Sequence, residues 1–289
     1  LNIFEAPDYL LMAVTEMEAF ALLAANAGWL RSVSRALFFS LITLDLVWSA
    51  GITPMMGGWS PAYYGRFLVR RVFAYFAAFF VWEYYGDLVP ALVNGLATAA
   101  TAILGPPVDG GQWISPGHVW GTGIQVSMQF MKLHLTPILG SALGPGFYLP
   151  LVFLIMAAFG LLAILMALVR IELLLALIAG YPLLALGGHP ITKAVAAGYI
   201  RWVMNIGVRM FFFVLLGTFA QRVGHLFLTE AEADVRWMTS PIVTLAPFPA
   251  FVMLAIVAVS VTRISREITT GFSWHPGPWD VGHGLREEK

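Results

Sequence analysis

Three acids and one base lie inside stretches that are otherwise apolar: Asp45 in "ALFFSLITLDLVWSAGITPMM", Glu83 and Asp87 in "FFVWEYYGDLVPALV", and Arg222 in "GTFAQRVGHLF". Carboxylates surrounded by hydrocarbon are stable only when paired, protonated or wetted. Such a set can therefore line a polar path, bind a coupling ion or lock helices to one another. Asp87 follows Glu83 by one helical turn, so the two share a face. Counted from the expected helix ends, Asp45 stands about nine residues into its helix and Glu83 about twelve into the next, which brings them to a similar depth. Arg222 is the expected partner of Asp45. A structural ion pair or an acid snorkelling to the headgroups is the plainer account of the same cluster.

Other chemistry is thinly represented. Arg170 and Glu172 are two residues apart and do not face each other on one helix, so each needs a partner elsewhere; anchoring and helix packing are the plainer roles. The six histidines, His118, His134, His189, His225, His275 and His283, lack metal-ligand spacing. With no cysteine there is no disulfide, thiol nucleophile or thiolate metal site. No phosphate-binding loop, zinc-protease helix or nucleophile elbow occurs, so we expect neither an enzyme nor a cofactor or metal.

The elements that must position these residues are set by hydropathy. From Tyr148 to Leu186 the only charges are Arg170 and Glu172, and the whole chain is 59% hydrophobic and 11% charged. Mean hydropathy is +0.80. These values describe an all-α, polytopic integral membrane protein. Formal charge is zero, so only the placement of charges carries information.

Residues 1–35 form an N-terminal interfacial or periplasmic helix, capped by Asp8 and kept out of the bilayer by Glu16 and Glu18. Residues 36–104 supply the first two crossings, the first from Ala36 to Met56 and the second from Val72, broken near Pro90. Residues 105–147 form an outer loop in which Ser115 and Pro116 start a short helix. Residues 148–271 hold crossings three to five, and 272–289 a cytoplasmic tail. The third stretch is two crossings folded at Arg170 and Glu172 or, preferred because the charges after it then fall on one side, one overlong helix breaking at Gly180–Pro182; the fourth crossing is read as Trp202 to Phe227, the fifth as Ile242 to Val261.

Arg66, Arg70 and Arg71 outnumber Arg31 and Arg35, and Lys193, Arg201, Arg209, Arg263 and Arg266 mark the same side as cytoplasmic. About five crossings with the N-terminus out and the C-terminus in follow. Leu1 in place of Met leaves room for a processed leader. Gly187 and Gly188 reverse the chain between two crossings, and Thr192 can cap the helix that follows. Small residues Gly160, Ala163 and Gly217 allow close helix approach.

The order of residues around that reversal resembles a known family. The stretch from Arg170 to Gln221 carries an acid in an apolar helix (Glu172), a Gly-Gly turn (Gly187, Gly188), a Thr (Thr192), a Tyr (Tyr199), a Gly with a basic residue (Gly207, Arg209) and an aromatic run from Phe211. That succession is similar to the central signature of the TrbL conjugal-transfer proteins, relatives of the polytopic VirB inner-membrane subunit of type IV secretion systems. "ISPGHVWGTGIQ" and "SREITTGF" resemble the family's outer-loop helix start and closing stretch. His189, Pro190 and Ile191 depart from its pattern, and the family's long low-complexity tail is missing.

The resemblance implies a structural channel or platform subunit of the bacterial inner membrane, supporting DNA or protein translocation and pilus assembly. It implies a homo-oligomeric ring, a pentamer by analogy, working with pilin and secretion ATPases, with membrane lipid around it and a DNA-protein substrate in transit. Gly160, Ala163 and Gly217 would then carry ring contacts, and Lys193, Arg201 and Arg209 the cytoplasmic face. The competing reading is a secondary transporter or ion-coupled permease using the intramembrane acids.

Overall fold

The computed structural model describes residues 28–52, 61–105, 115–135, 145–189, 191–233 and 248–271, all of them helix or short turn. The part of the expected N-terminal helix before residue 28, residues 106–114 and 136–144 of the expected outer loop, and the tail after 271 lie outside the described residues. Helix α1 covers residues 28–47 and widens into a π-helical turn, Trp48–Ile52. Then come α2 (Pro61–Leu104), α3 (Pro116–Leu135), α4 (Pro145–Ala185), α5 (Lys193–Ala233) and α6 (Phe248–Gly271). Five are long and apolar enough to cross a membrane, over Gly28–Gly51, Tyr64–Leu104, Leu149–Gly188, Lys193–Thr229 and Phe248–Thr269. The all-helical, multi-crossing expectation is met.

Five boundaries differ from the sequence reading: α1 already includes residues 28–35, ahead of the expected start at Ala36, and α5 starts at Lys193 rather than Trp202. α2 starts at Pro61, so Arg66, Arg70 and Arg71 belong to the helix rather than to a loop, and it continues through Pro90. α4 runs through Gly180 and Pro182 for another turn and ends at the 3-10 turn Leu186–Gly188. A single proline removes one N–H and hence one rung of the ladder, which a helix held on its sides survives. The last crossing, Phe248–Gly271, continues past the expected end at Val261; its expected start at Ile242 lies outside the described residues.

α1 and α2 form an antiparallel hairpin whose contacts pair Arg31 with Glu83, Phe38 with Trp82 and Asp45 with Arg71. α2 and α5 run parallel: Tyr85 faces Tyr199, Leu92 and Leu96 press on Gly207, and Gly105 lies under Arg222. α4 descends against both, and α6 lies beside it with Phe251 against Phe159. α3 starts as its sequence foretold, the Ser115 hydroxyl accepting the His118 N–H at 3.1 Å. It is a full member of the core, with Val119, Val126 and Phe130 buried. The outer surface is apolar, with Phe73 and Phe76 about two-thirds exposed at 67% and 68%, as a lipid-facing surface requires.

Candidate functional site

Polar side chains within the helices gather at three junctions. The first joins α1 to α2. Arg71 donates from Nη1 to Asp45 Oδ2 at 2.8 Å, and its guanidinium also lies over the Phe67 ring, 4.7 Å from the centroid. The Asp45 side chain is 5% exposed. Farther along the hairpin Arg31 donates to Glu83, with the stacked rings of Phe38, Phe79 and Trp82 between the two pairs.

The expected cluster of Asp45, Glu83, Asp87 and Arg222 is therefore taken apart. Asp45 is level with Arg71, about 18 Å along α2 from Glu83, not at its depth. The earlier start of α2 is the cause, since it sets the hairpin register. Asp87 is exposed, and the Arg222 guanidinium packs over Gly105, where a Cβ would come within 2.7 Å of it. Gly105 has a φ of 82°, open to glycine at no steric cost, and closes α2 against that arginine.

The second junction joins α4 to α5. Arg209 donates to both carboxylate oxygens of Glu172, with Nη1 to Oε1 at 3.0 Å, a fork-to-fork pair. Its side chains are 13% and 35% exposed. Arg209 is thus set apart from Lys193 and Arg201, both exposed, and stands about 24 Å along α5 from Lys193.

The third junction, absent from the sequence reading, ties α2 and α5 to α4. Tyr85 donates its hydroxyl to the carbonyls of Leu177 and Ala176, and Tyr199 donates to Ala176 at 2.9 Å. Trp82 Nε1–H donates to the Tyr181 carbonyl at 3.1 Å. The Tyr85 ring meets Tyr181 edge-on at 4.9 Å and lies where a Cβ on Gly180 would stand, so only glycine admits it. The signal was available: a Trp and a Tyr three residues apart in an apolar helix must find acceptors for N–H and O–H in lipid.

Below this junction the chain reverses through Gly187 and Gly188, with the Phe38 carbonyl of α1 3.0 Å from a Cβ placed on Gly188. Thr192 does not use its hydroxyl to cap the helix ahead. It donates to the Leu186 and His189 carbonyls and closes the helix behind. The backbone N–H groups of Thr192 and Lys193 bond to His189 O at 3.1 and 2.9 Å. The small residues reserved for contacts between copies are used within the chain. Trp120 of α3 covers Gly160, while Ala163 and Gly217 are buried.

Chemically, these junctions are interhelical ties. Their hydrogen bonds run to a backbone carbonyl or an opposite charge on a neighbouring helix, although Glu83 Oε2 and Arg209 Nε are buried without a partner, and among the described residues no three His, Asp or Glu come together as a metal site. The profile of the TrbL/VirB6 plasmid conjugal transfer protein family matches residues 42–263. A probable conjugal transfer protein TrbL from Sinorhizobium fredii is 26% identical over 284 residues, 94% of this chain and 67% of that protein. A conjugal transfer protein TrbL from Rhizobium radiobacter is 25% identical over 282 residues, 94% of this chain and 66% of that protein. The chain thus spans about two thirds of the length of these relatives. No solved structure matches it. With its match running from the middle of α1 to the latter part of α6, the chain belongs to the TrbL/VirB6 family of conjugal transfer proteins, non-enzymatic membrane components of type IV secretion systems.

Proposed function

We propose that this chain is a structural inner-membrane subunit of the channel or assembly platform of a conjugative secretion system, supporting passage of DNA or protein and pilus assembly. The observation that carries the reading is the use of polar groups: Asp45, Glu83 and Glu172 each meet an arginine of another helix, so the acids tie the scaffold. The end holding the α4–α5 turn and the α6 C-terminus faces the cytoplasm, because Lys193, Arg201, Arg263 and Arg266 are exposed toward it. α1 starts at about the level where α6 ends, so the expected outside N-terminus rests on the placement of the basic residues. Several copies form a ring, a pentamer by family analogy, alongside pilin and the secretion ATPases that supply energy.

The test is genetic and biochemical together. Deletion of the gene in a conjugative host should abolish transfer and pili, and plasmid-borne wild type should restore both. The purified protein should give a ring mass by native mass spectrometry and no solute uptake in liposomes. Uptake by the isolated protein would instead establish a transporter. Cysteines at positions 190 and 270 should react from the cytoplasmic side only; labelling from outside reverses the orientation.

A further inference from the structure

Along α2, two groups of neighbours occupy separate lengths. α1 accompanies the first half: the Tyr64 hydroxyl donates to the Ala50 carbonyl at 3.2 Å, Arg71 meets Asp45, and Glu83 meets Arg31. α5 accompanies the second half, from Tyr199 beside Tyr85 to Arg222 over Gly105. α4 carries the same ruler, with Tyr181 level with Trp82.

α6 meets α4 at Phe251 and Phe159, and its remaining length to Gly271 brings it about 30 Å down, near the level of Gly180. α1 begins at about that level, where Arg31 meets Glu83, and runs the other way for roughly 30 Å more. Two helices, each apolar and long enough to cross, therefore lie end to end. Together they cover about twice the thickness of a hydrocarbon core of roughly 30 Å.

In the pose recorded here, lipid covers one apolar belt and leaves the other in water. The uncovered belt would include Phe73 and Phe76 on the hairpin, a large apolar face that water does not tolerate. The helices passing between the belts each carry a glycine at the joint: Gly86 on α2, Gly180 on α4 and Gly198 on α5. Two of them also lose a rung there, because Pro90 has no N–H for the Gly86 carbonyl and Pro182 none for that of Ile178. Across the joint, the Tyr85 hydroxyl, below Gly86, holds the Ala176 and Leu177 carbonyls of α4 above Gly180.

We propose that this band is a hinge, on which the α1–α2 hairpin and the α4–α5 tip bend as one body toward the bilayer plane. Both apolar belts then meet lipid, and Arg66 and Arg70, exposed on the hairpin, reach the headgroups. The Tyr85 contacts are the catch that holds the extended pose. The inference needs only a membrane around the long helices and is independent of orientation and of the secretion role.

The chain has no cysteine, so labelling is direct. Nitroxides on Val72→Cys and Ile256→Cys, in the full chain diluted with unlabelled protein in phosphatidylethanolamine–phosphatidylglycerol nanodiscs, read the angle by pulsed electron resonance. The extended pose places them about 44 Å apart along the axis, and a right-angle bend brings them to about 30 Å. The wild type should show the shorter population, with the label at 72 reached by oxygen rather than by a water-soluble nickel chelate. Pro90→Ala with Pro182→Ala restores both rungs and should return the distance toward 44 Å.

A pair at Phe153→Cys and Phe219→Cys, both on the upper body, should be unchanged and so reports intact packing. Should the proline variant fail that control, Tyr85→Phe takes its place: release of the catch should enlarge the short-distance population. A wild type fixed near 44 Å, a water-exposed label at 72, or a distribution indifferent to both the proline and the tyrosine changes would overturn the hinge.

Discussion

Replacing Glu172 with Leu leaves the Arg209 guanidinium, 13% exposed, without its counter-charge between α4 and α5. Removal of one partner of a buried pair costs about 3–5 kcal/mol in soluble proteins. With Glu172 35% exposed and membrane polar contacts weaker than that, the lower figure of about 2–3 kcal/mol is expected. Arg209→Met alone should cost a similar amount, since it strands the carboxylate. The double variant Glu172→Leu with Arg209→Met fills the same space with hydrocarbon and desolvates no charge, so it should recover to within about 1 kcal/mol of wild type. Reversible unfolding of the purified protein in mixed bicelles reads all four corners of the cycle, with an expected coupling of about 3–5 kcal/mol. Conjugal transfer by the double variant should then return to within a few-fold of wild type. If the double variant loses the sum of the two singles, the pair is not the tie described here.

The hairpin pair makes the same argument with exchanged charge: Asp45→Arg with Arg71→Asp should restore the folding lost in each single variant, whereas exchange of Asp45 with Arg222 should not, as judged by detergent-resistant yield. Tyr199→Phe removes one hydrogen bond to Ala176 and should cost about 1 kcal/mol in the same bicelle assay. Gly180→Ala drives a methyl into the Tyr85 ring and should cost about 1–3 kcal/mol, most of it relieved when Tyr85→Leu is added. Loss of stability without that relief would place the strain elsewhere.

Much of this architecture was legible in the sequence because hydropathy alone fixes which stretches prefer lipid, and a Ser-Pro pair or a Gly-Gly pair states where helices start or reverse. The uninterrupted run after Tyr148 did become one helix. Register was not legible. Arg66, Arg70 and Arg71 look like a loop because three cations beside an apolar run are costly in lipid, yet the fold gives Arg71 a carboxylate and leaves the other two at the exposed surface. That single shift moved Asp45 away from Glu83. Pro90 and Pro182 were read as breaks for a related reason: sequence shows the missing N–H but not the neighbours that hold the helix across it.

The residues that carry the family signature can be understood from the solvent. In lipid, helices gain nothing from hiding apolar surface against one another, so the choice of neighbour falls to small residues that permit close approach and to polar groups with one available partner. The signature residues described here serve such a choice. Glu172 selects Arg209, Tyr199 selects the Ala176 carbonyl, Thr192 closes the end of α4, and Gly207 receives Leu92 and Leu96 of α2. Gly188 receives α1, and Phe211 packs against the core these ties enclose. A pattern of this kind specifies which helices stand side by side and at what height, which is what a subunit needs when its work is to hold a shape among partners.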